Sequence, residues 1–100
     1  MSDLYSITLD AQTNLVNVTG ELTFATVNDV LVKTDKLFES LTSLDIDLAN
    51  ISRSDSAGLG LLVHWIRTAK TTNKKIVFHN IPSQLLSIAD ASGLDELLPI

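Results

Sequence analysis

The first part of the chain alternates between apolar and polar residues, as half-buried β-strands do. The alternation is clearest over Tyr5–Leu9, where its period of two predicts a strand. A second apolar run, Leu15–Val18, predicts another strand that ends at Gly20. The polar segment between them, Gln12–Asn14, is short enough for a turn. The two strands are therefore predicted to form a hairpin.

The period changes to that of a helix over Thr23–Ser40. Apolar residues recur there at i, i+3, i+4 and i+7, beginning at Val27, which is the pattern of an amphipathic helix. Thr23 or Thr26 is predicted to cap its N-terminus, because threonine oxygens accept hydrogen bonds from the unpaired amides of a first helical turn.

Strands and helices alternate over the rest of the chain. The pattern predicts a strand over Leu44–Leu48, a loop over Asn50–Asp55, a helix over Ser56–Thr72, a strand over Lys75–His79, a helix from Pro82 to Ala91, and a last turn or short strand over 94–100. This β-β-α-β-α-β-α order predicts one α/β domain over residues 1–100, with a mixed sheet and helices packed against it.

Composition narrows the possible functions. The chain has 100 residues, of which 45% are hydrophobic and 19% are charged, which is typical of a folded globular domain. It has no cysteine, so disulfides, thiolate nucleophiles and cysteine-ligated zinc are excluded. The net charge of −5 argues against nucleic acid as a partner, since proteins that bind it usually present a basic surface.

Neither targeting nor membrane insertion is indicated. The segment Met1–Tyr5 has no basic region followed by an apolar stretch, as a signal peptide would have. The most apolar stretch, Ala57–Ile66, is about half as long as the roughly 20 residues that a membrane span requires. We expect a cytoplasmic protein that reaches a membrane only through a partner.

The most informative segment is Asp55–Gly60, where a strand and a loop lead into the second helix. Ser56 is predicted to lie at or near the helix cap, and the small residues Ala57 and Gly58 would let another surface approach closely. The free amides and the helix dipole favour an anion there, so Ser56 is a candidate phosphoacceptor. Helix capping alone is the alternative explanation of the same residues.

The second helix contains apolar residues that lie off its predicted buried face. On a helical wheel the predicted core face consists of Leu59, Leu62, Val63 and Ile66. Leu61, His64 and Trp65 lie to the side of that face, and we predict that they contribute to a partner surface. The alternative is that Trp65 packs against the third helix or the sheet edge.

Other residues give weaker indications. His64 and His79 lie on different elements without metal-ligand spacing, and Ser56 lacks the glycine-flanked context of a serine nucleophile. We therefore expect no catalytic residue, no metal and no cofactor. Arg67, Lys70, Lys74 and Lys75 provide four of the seven basic side chains. They are predicted to be solvated at a helix end, with a surface for an acidic partner as the alternative.

Two segments resemble the STAS family, the domain of sulfate transporters and anti-anti-sigma factors. Gly20–Thr26, after the hairpin, resembles the family's opening, and Asp55–Gly60 resembles its Asp-Ser-Ser-Gly-Leu-Gly signature. The resemblance covers nearly the whole chain. It implies a single STAS-like domain with a mixed sheet of four or five strands and three or four helices.

Two branches of that family compete. The stretch Ile51–Lys70 and the closing Leu97–Pro99 look closest to the MlaB-type subunit of a phospholipid-transport ABC system, which binds and supports the ATPase subunit. The segment Glu21–Thr26 leans toward anti-anti-sigma factors, in which the serine at the Ser56 position is phosphorylated by a partner kinase.

The sequence thus predicts a non-enzymatic adaptor that binds an ABC ATPase subunit, in the cytoplasm or at the inner membrane through the transporter complex. The alternative is an anti-anti-sigma factor whose partner is a serine kinase acting as an anti-sigma factor. The predicted partner-binding residues are Asp55, Ser56, Ala57, Gly58, Leu59, Gly60, Leu61, His64 and Trp65.

Overall fold

A computed structural model describes residues 4–98. Its elements are β1 (Tyr5–Leu9), β2 (Leu15–Leu22), α1 (Val27–Phe38), β3 (Ser43–Asp47), β4 (Ile51–Ser54), α2 (Ser56–Thr71), β5 (Lys75–His79), α3 (Ser83–Ala91) and a 3-10 helix, η1 (Asp95–Leu97). The predicted α/β class is confirmed, and the predicted order holds apart from one additional strand. Residues 99 and 100 of the predicted last turn lie outside the described part.

Five strands form one mixed sheet, in which four are neighbours in the order β1-β2-β3-β5 and β4 pairs with β2. β1 and β2 form the predicted antiparallel hairpin, whereas β3 runs parallel to both β2 and β5. The parallel pairings follow from the helical crossovers, since a strand that returns through a helix runs in its original direction. β3 pairs with the first half of β2, and β4 pairs with its last residues, Gly20–Leu22.

One face of the sheet carries the hydrophobic core. Val16 and Val18 of β2, Ile46 of β3 and Phe78 of β5 are buried in it, together with residues from all three α-helices. Asp45 alternates with these core positions and is only half-buried, as expected where one sheet face is covered and the other is polar.

Two predictions differ from the structure by more than two residues. The predicted loop over Asn50–Asp55 contains strand β4, which is held by backbone pairing to β2. The first helix begins at Val27 rather than Thr23, because the amides of Thr26 and Val27 bond to the Thr23 carbonyl and close a separate turn. Neither predicted threonine cap forms. The Thr26 hydroxyl instead donates to the Glu21 carbonyl.

Within residues 4–98, every helix is too short or too polar to cross a membrane.

Candidate functional site

The start of α2 is fixed by Asp55. This residue is the N-cap, and its Oδ1 accepts from the backbone amides of Ala57 at 2.9 Å and Gly58 at 3.3 Å. Its other oxygen, Oδ2, accepts from the amide of Phe24 at 3.2 Å. One carboxylate therefore caps the helix and also holds the turn between β2 and α1 against it.

Ser56 is the first residue of α2, and its side chain is exposed. Ser56 lies next to the helix cap, as predicted, and Asp55 rather than Ser56 accepts from the amides of the first turn. The Ser56 hydroxyl makes no hydrogen bond within the part of the chain that the structure describes. It is accessible to another molecule at a helix start that Asp55 caps.

The two glycines of α2 have different surroundings. A Cβ added at Gly58 would lie 2.4 Å from the carbonyl oxygen of Leu22, which is far inside van der Waals contact. Gly58 is therefore required where α2 packs against the backbone of Leu22. A Cβ at Gly60 would meet no atom within 4 Å, and Gly60 is exposed.

Three of the predicted site residues form an accessible line along α2. Ser56, Gly60 and His64 are four residues apart and share one side of the helix. His64 contacts α1. Its Nε2 is 3.3 Å from Asp35 Oδ1 of α1 and 3.4 Å from Thr68 Oγ1 of α2. The His64 side chain is 40% exposed, so this line can be contacted from outside.

The prediction that Leu61 and Trp65 form part of an exposed surface is wrong. Trp65 is completely buried, and Leu61 is only 4% exposed. The Trp65 ring packs edge-on against Phe38 of α1, at 6.0 Å between centroids, and lies 6.3 Å from the Phe78 ring of β5. Its Nε1 donates to the Thr34 hydroxyl at 2.9 Å.

Gly58 and Leu59 are also buried and cannot contact a partner directly. The physical reason is the position of α2, which contacts α1, α3, β4 and β5. A helix that is covered on several sides buries a wider arc than the single stripe of a surface helix. The alternative that Trp65 packs at the sheet edge is correct, since β5 is the last strand of the sheet.

Phe24 is a feature that the sequence reasoning did not identify. Its side chain is 79% exposed, although it is aromatic and lies in a turn tied to Asp55. The signal available in the sequence was its position between Thr23 and Thr26, as the one large apolar residue of that segment. The Asp55 carboxylate therefore links the backbone of Phe24 to the start of α2, where Ser56 is the next residue.

The described side chains near Ser56 include few groups that could take part in catalysis or bind a metal. The two histidines are engaged elsewhere, His64 with Asp35 and Thr68, and His79 with Asp45 Oδ1 at 3.0 Å. Among residues 4–98, no group of three or more metal-ligating side chains is placed to hold an ion. What the site offers is an exposed hydroxyl, an exposed ring and a helix end.

A match to a family model identifies the family of this chain. The family model described as MlaB, STAS domain, matches residues 6–99 of the chain. The chain belongs to the STAS family. The resemblance inferred from Gly20–Thr26 and Asp55–Gly60 is thereby confirmed, and STAS domains of this kind are in general non-catalytic.

The curated relatives of this STAS domain include anti-sigma-B factor antagonists. The protein of Bacillus subtilis strain 168 is 28% identical over 85 residues, which cover 85% of this chain and 78% of the relative. The protein of Staphylococcus epidermidis is 31% identical over 88 residues, which cover 85% of this chain and 80% of the relative.

Solved structures share the fold. The anti-sigma factor antagonist SpoIIAA in its unphosphorylated form superposes with a TM-score of 0.71 at 19% identity, covering 94% of this STAS domain and 84% of that chain. Its phosphorylated form gives a TM-score of 0.69 at 18% identity, covering 94% and 87%. SLC26A9 gives 0.68 at 18% identity, covering 82% of this chain and 16% of that one. At these identities the likeness establishes the STAS fold alone.

Proposed function

We propose that this STAS domain is a non-catalytic anti-sigma factor antagonist, whose partner is a serine kinase that also acts as an anti-sigma factor. Ser56 is the phosphoacceptor in this proposal. The observation that carries it is the exposed, unbonded Ser56 hydroxyl at a helix start that Asp55 caps. This role would place the chain in the cytoplasm.

The names of the relatives support this choice over the one that the sequence favoured. The MlaB-like stretch led us to expect an ABC ATPase adaptor first and an anti-anti-sigma factor second. The curated relatives, at 28% and 31% identity, are named anti-sigma-B factor antagonists. SpoIIAA, which has the same fold, exists in unphosphorylated and phosphorylated forms.

The proposed contact surface, called here the Ser56 surface, consists of Phe24, Ser56, Gly60 and His64. Phe24 would enter an apolar pocket of the partner, because an aromatic ring so exposed gains most when it is desolvated at an interface. Gly60 would allow the partner's backbone to approach the helix, since nothing lies within 4 Å of its missing side chain.

Phosphorylation would switch this surface off by charge. The kinase would transfer the terminal phosphoryl group of ATP to Ser56 Oγ, releasing ADP while its own base accepts the hydroxyl proton. The product carries about −1.5 to −2 charges at neutral pH. Asp55 already occupies the amides of Ala57 and Gly58. The phosphate would therefore lie beside a carboxylate, and both charges would have to be desolvated when a partner docks.

Intact-mass measurement tests the phosphoacceptor. The full chain is incubated with ATP and with candidate serine kinases of the source organism, and the expected product carries one added phosphate. Ser56→Ala should abolish the addition. Ser83→Ala is the matched control, because Ser83 is also exposed and also the first residue of a helix. Addition that persists in Ser56→Ala and disappears in Ser83→Ala would refute the assignment.

A second candidate is the ABC ATPase adaptor, and one observation favours it. The family model that matches residues 6–99 is described as MlaB, the branch that the Ile51–Lys70 stretch also resembles. In this case the Ser56 surface would bind the ATPase subunit and stabilise its active conformation.

Co-purification separates the two candidates. The full chain is expressed with the candidate ABC ATPase subunit, and complex formation and ATPase rate are measured. A stable complex that raises the rate, and that Ser56→Ala leaves intact, would favour the adaptor. Phosphate addition at Ser56 together with no ATPase complex would favour the antagonist.

A further inference from the structure

A cavity of about 280 Å³ lies between the second half of α2, strand β5 and η1. Its walls are mostly apolar and include Val63 and Ile66 of α2, Ile76 of β5, and Leu97. Leu97 is 51% exposed, so the cavity is open on that side. Its volume is slightly below the roughly 300–1,000 Å³ of pockets for drug-sized molecules, which suits a single alkyl chain.

Cationic side chains surround this apolar cavity. Arg67, Lys70 and Lys74 line it, so three of the seven basic residues of an acidic chain meet at one place. None of the described residues that line it is acidic. Complementing the helix dipole accounts for Lys70 in the last turn of α2. Lys74 lies beyond α2 and donates to the carbonyl of Phe38, the last residue of α1, so it complements the dipole of that helix. Neither role applies to Arg67, which lies before the last turn of α2.

We propose that this cavity binds a medium-chain fatty acid anion. The alkyl chain would contact Val63, Ile66 and Ile76, where it leaves water for apolar walls. The carboxylate would lie near Arg67 and Lys70, whose side chains are exposed and free to pair with it. The site is about 16 Å along α2 from Ser56 at 1.5 Å per residue, so it is independent of the proposed phosphoacceptor.

Titration of the full ¹⁵N-labelled chain with sodium decanoate, below micelle formation, tests the proposal. We expect saturable shifts in the amides of residues 63–76 and none that saturate around Ser56. Decanol, which has the same chain without the charge, should bind at least tenfold more weakly. Decyltrimethylammonium, which has the opposite charge, should give no saturable shifts.

Charge reversal supplies the matched variants. Arg67→Glu combined with Lys70→Glu should weaken decanoate binding by at least tenfold. Lys36→Glu should leave it unchanged, because Lys36 is an exposed cation in the last turn of α1 and is absent from the cavity lining. Fluorescence of Trp65, the single tryptophan, reports whether each variant is folded.

Three results would overturn the proposal. The first is the absence of saturable shifts at residues 63–76 when decanoate is added to the wild-type chain. The second is decanol binding as tightly as decanoate, which would remove any role for the cations. The third is a folded Lys36→Glu variant that loses as much affinity as the double variant. The first two comparisons use the wild-type chain, so they decide even where the double variant does not fold.

Discussion

Trp65 links α1, α2 and β5 through one hydrogen bond and two ring contacts. Its Nε1 donates to Thr34 Oγ1, and that hydroxyl donates in turn to the Val30 carbonyl at 2.8 Å. Both Trp65 and Thr34 are completely buried. The indole N–H therefore has no access to water that could replace the hydroxyl, which makes the Thr34 side chain important for stability.

We predict that Thr34→Val lowers the free energy of unfolding by about 1–3 kcal/mol, the typical cost of leaving a buried polar group unpaired. The volume of the side chain hardly changes, so the effect isolates the hydrogen bond. Urea denaturation followed by Trp65 fluorescence measures it. Thr71→Val, on the exposed side of α2, should change stability by less than about 0.5 kcal/mol. Equal midpoints for the two variants would contradict this account.

Replacing each of the two glycines of α2 by alanine should change the free energy of unfolding in opposite directions. Gly58→Ala should destabilise the fold by about 1–3 kcal/mol, the range for overpacking, because its Cβ would lie 2.4 Å from the Leu22 carbonyl oxygen. Gly60→Ala should stabilise it by about 0.5–1 kcal/mol, since an exposed helical glycine is replaced by a better helix former in open space. Urea denaturation of both variants measures these changes. If the two variants shifted the unfolding midpoint in the same direction, that result would be evidence against the packing described.

At the scale of elements, Asp55 joins α2 to the turn that carries Phe24. We predict that Asp55→Ala lowers stability by about 1–2 kcal/mol, because the cap of α2 is lost. Asp55→Asn should cost less. Its remaining carbonyl oxygen can still accept from Ala57, whereas its amide group cannot accept from Phe24.

Hydrogen exchange distinguishes the contribution of the α2 cap from that of the Asp55–Phe24 hydrogen bond. In Asp55→Asn the Phe24 amide should exchange faster than in wild type, while the amide of Ala57 stays protected. Unchanged exchange at Phe24 in both variants would show that the Asp55–Phe24 bond does not hold the turn in solution.

Much of the fold could be predicted because local pattern and tertiary structure agree. β1 and β5 were predicted with the bounds that the structure has, since alternation or a short apolar run marks them clearly. β4 could not be predicted, because Ile51–Ser54 has no regular alternation and is a strand only through backbone pairing to Gly20–Leu22. That pairing depends on where β2 lies, which no local pattern contains.

The candidate site was predictable in part. The motif at Asp55–Gly60 located the helix start and the exposed Ser56, since both follow from capping chemistry. The helical wheel failed for Leu61 and Trp65, because it assumed one buried face for a helix that contacts α1, α3 and the sheet. Phe24 was not identified because its neighbour across the turn, Asp55, is 31 residues away in the sequence.

At the scale of the whole molecule, two exposed apolar residues offer a test of where a partner binds. Phe24 is 79% exposed and Val32 of α1 is 67% exposed, so neither should matter much to folding. We predict that Phe24→Ser weakens binding of the proposed partner kinase by about tenfold, or ~1.4 kcal/mol, while Val32→Ser has little effect. Isothermal titration calorimetry with each variant measures both affinities. Equal losses in the two variants would contradict the proposed surface.

The central claim is that the start of α2 is a partner-binding surface controlled by charge at Ser56. The most direct measurement is the affinity of the serine kinase for the unphosphorylated chain, the phosphorylated chain, Ser56→Glu, Ser56→Gln and Ser83→Glu. We predict that the phosphorylated chain binds at least tenfold more weakly and that Ser56→Glu is weakened more than the neutral, similar-sized Ser56→Gln. Ser83→Glu should bind like wild type. Equal affinities for the phosphorylated and unphosphorylated chains would contradict the claim.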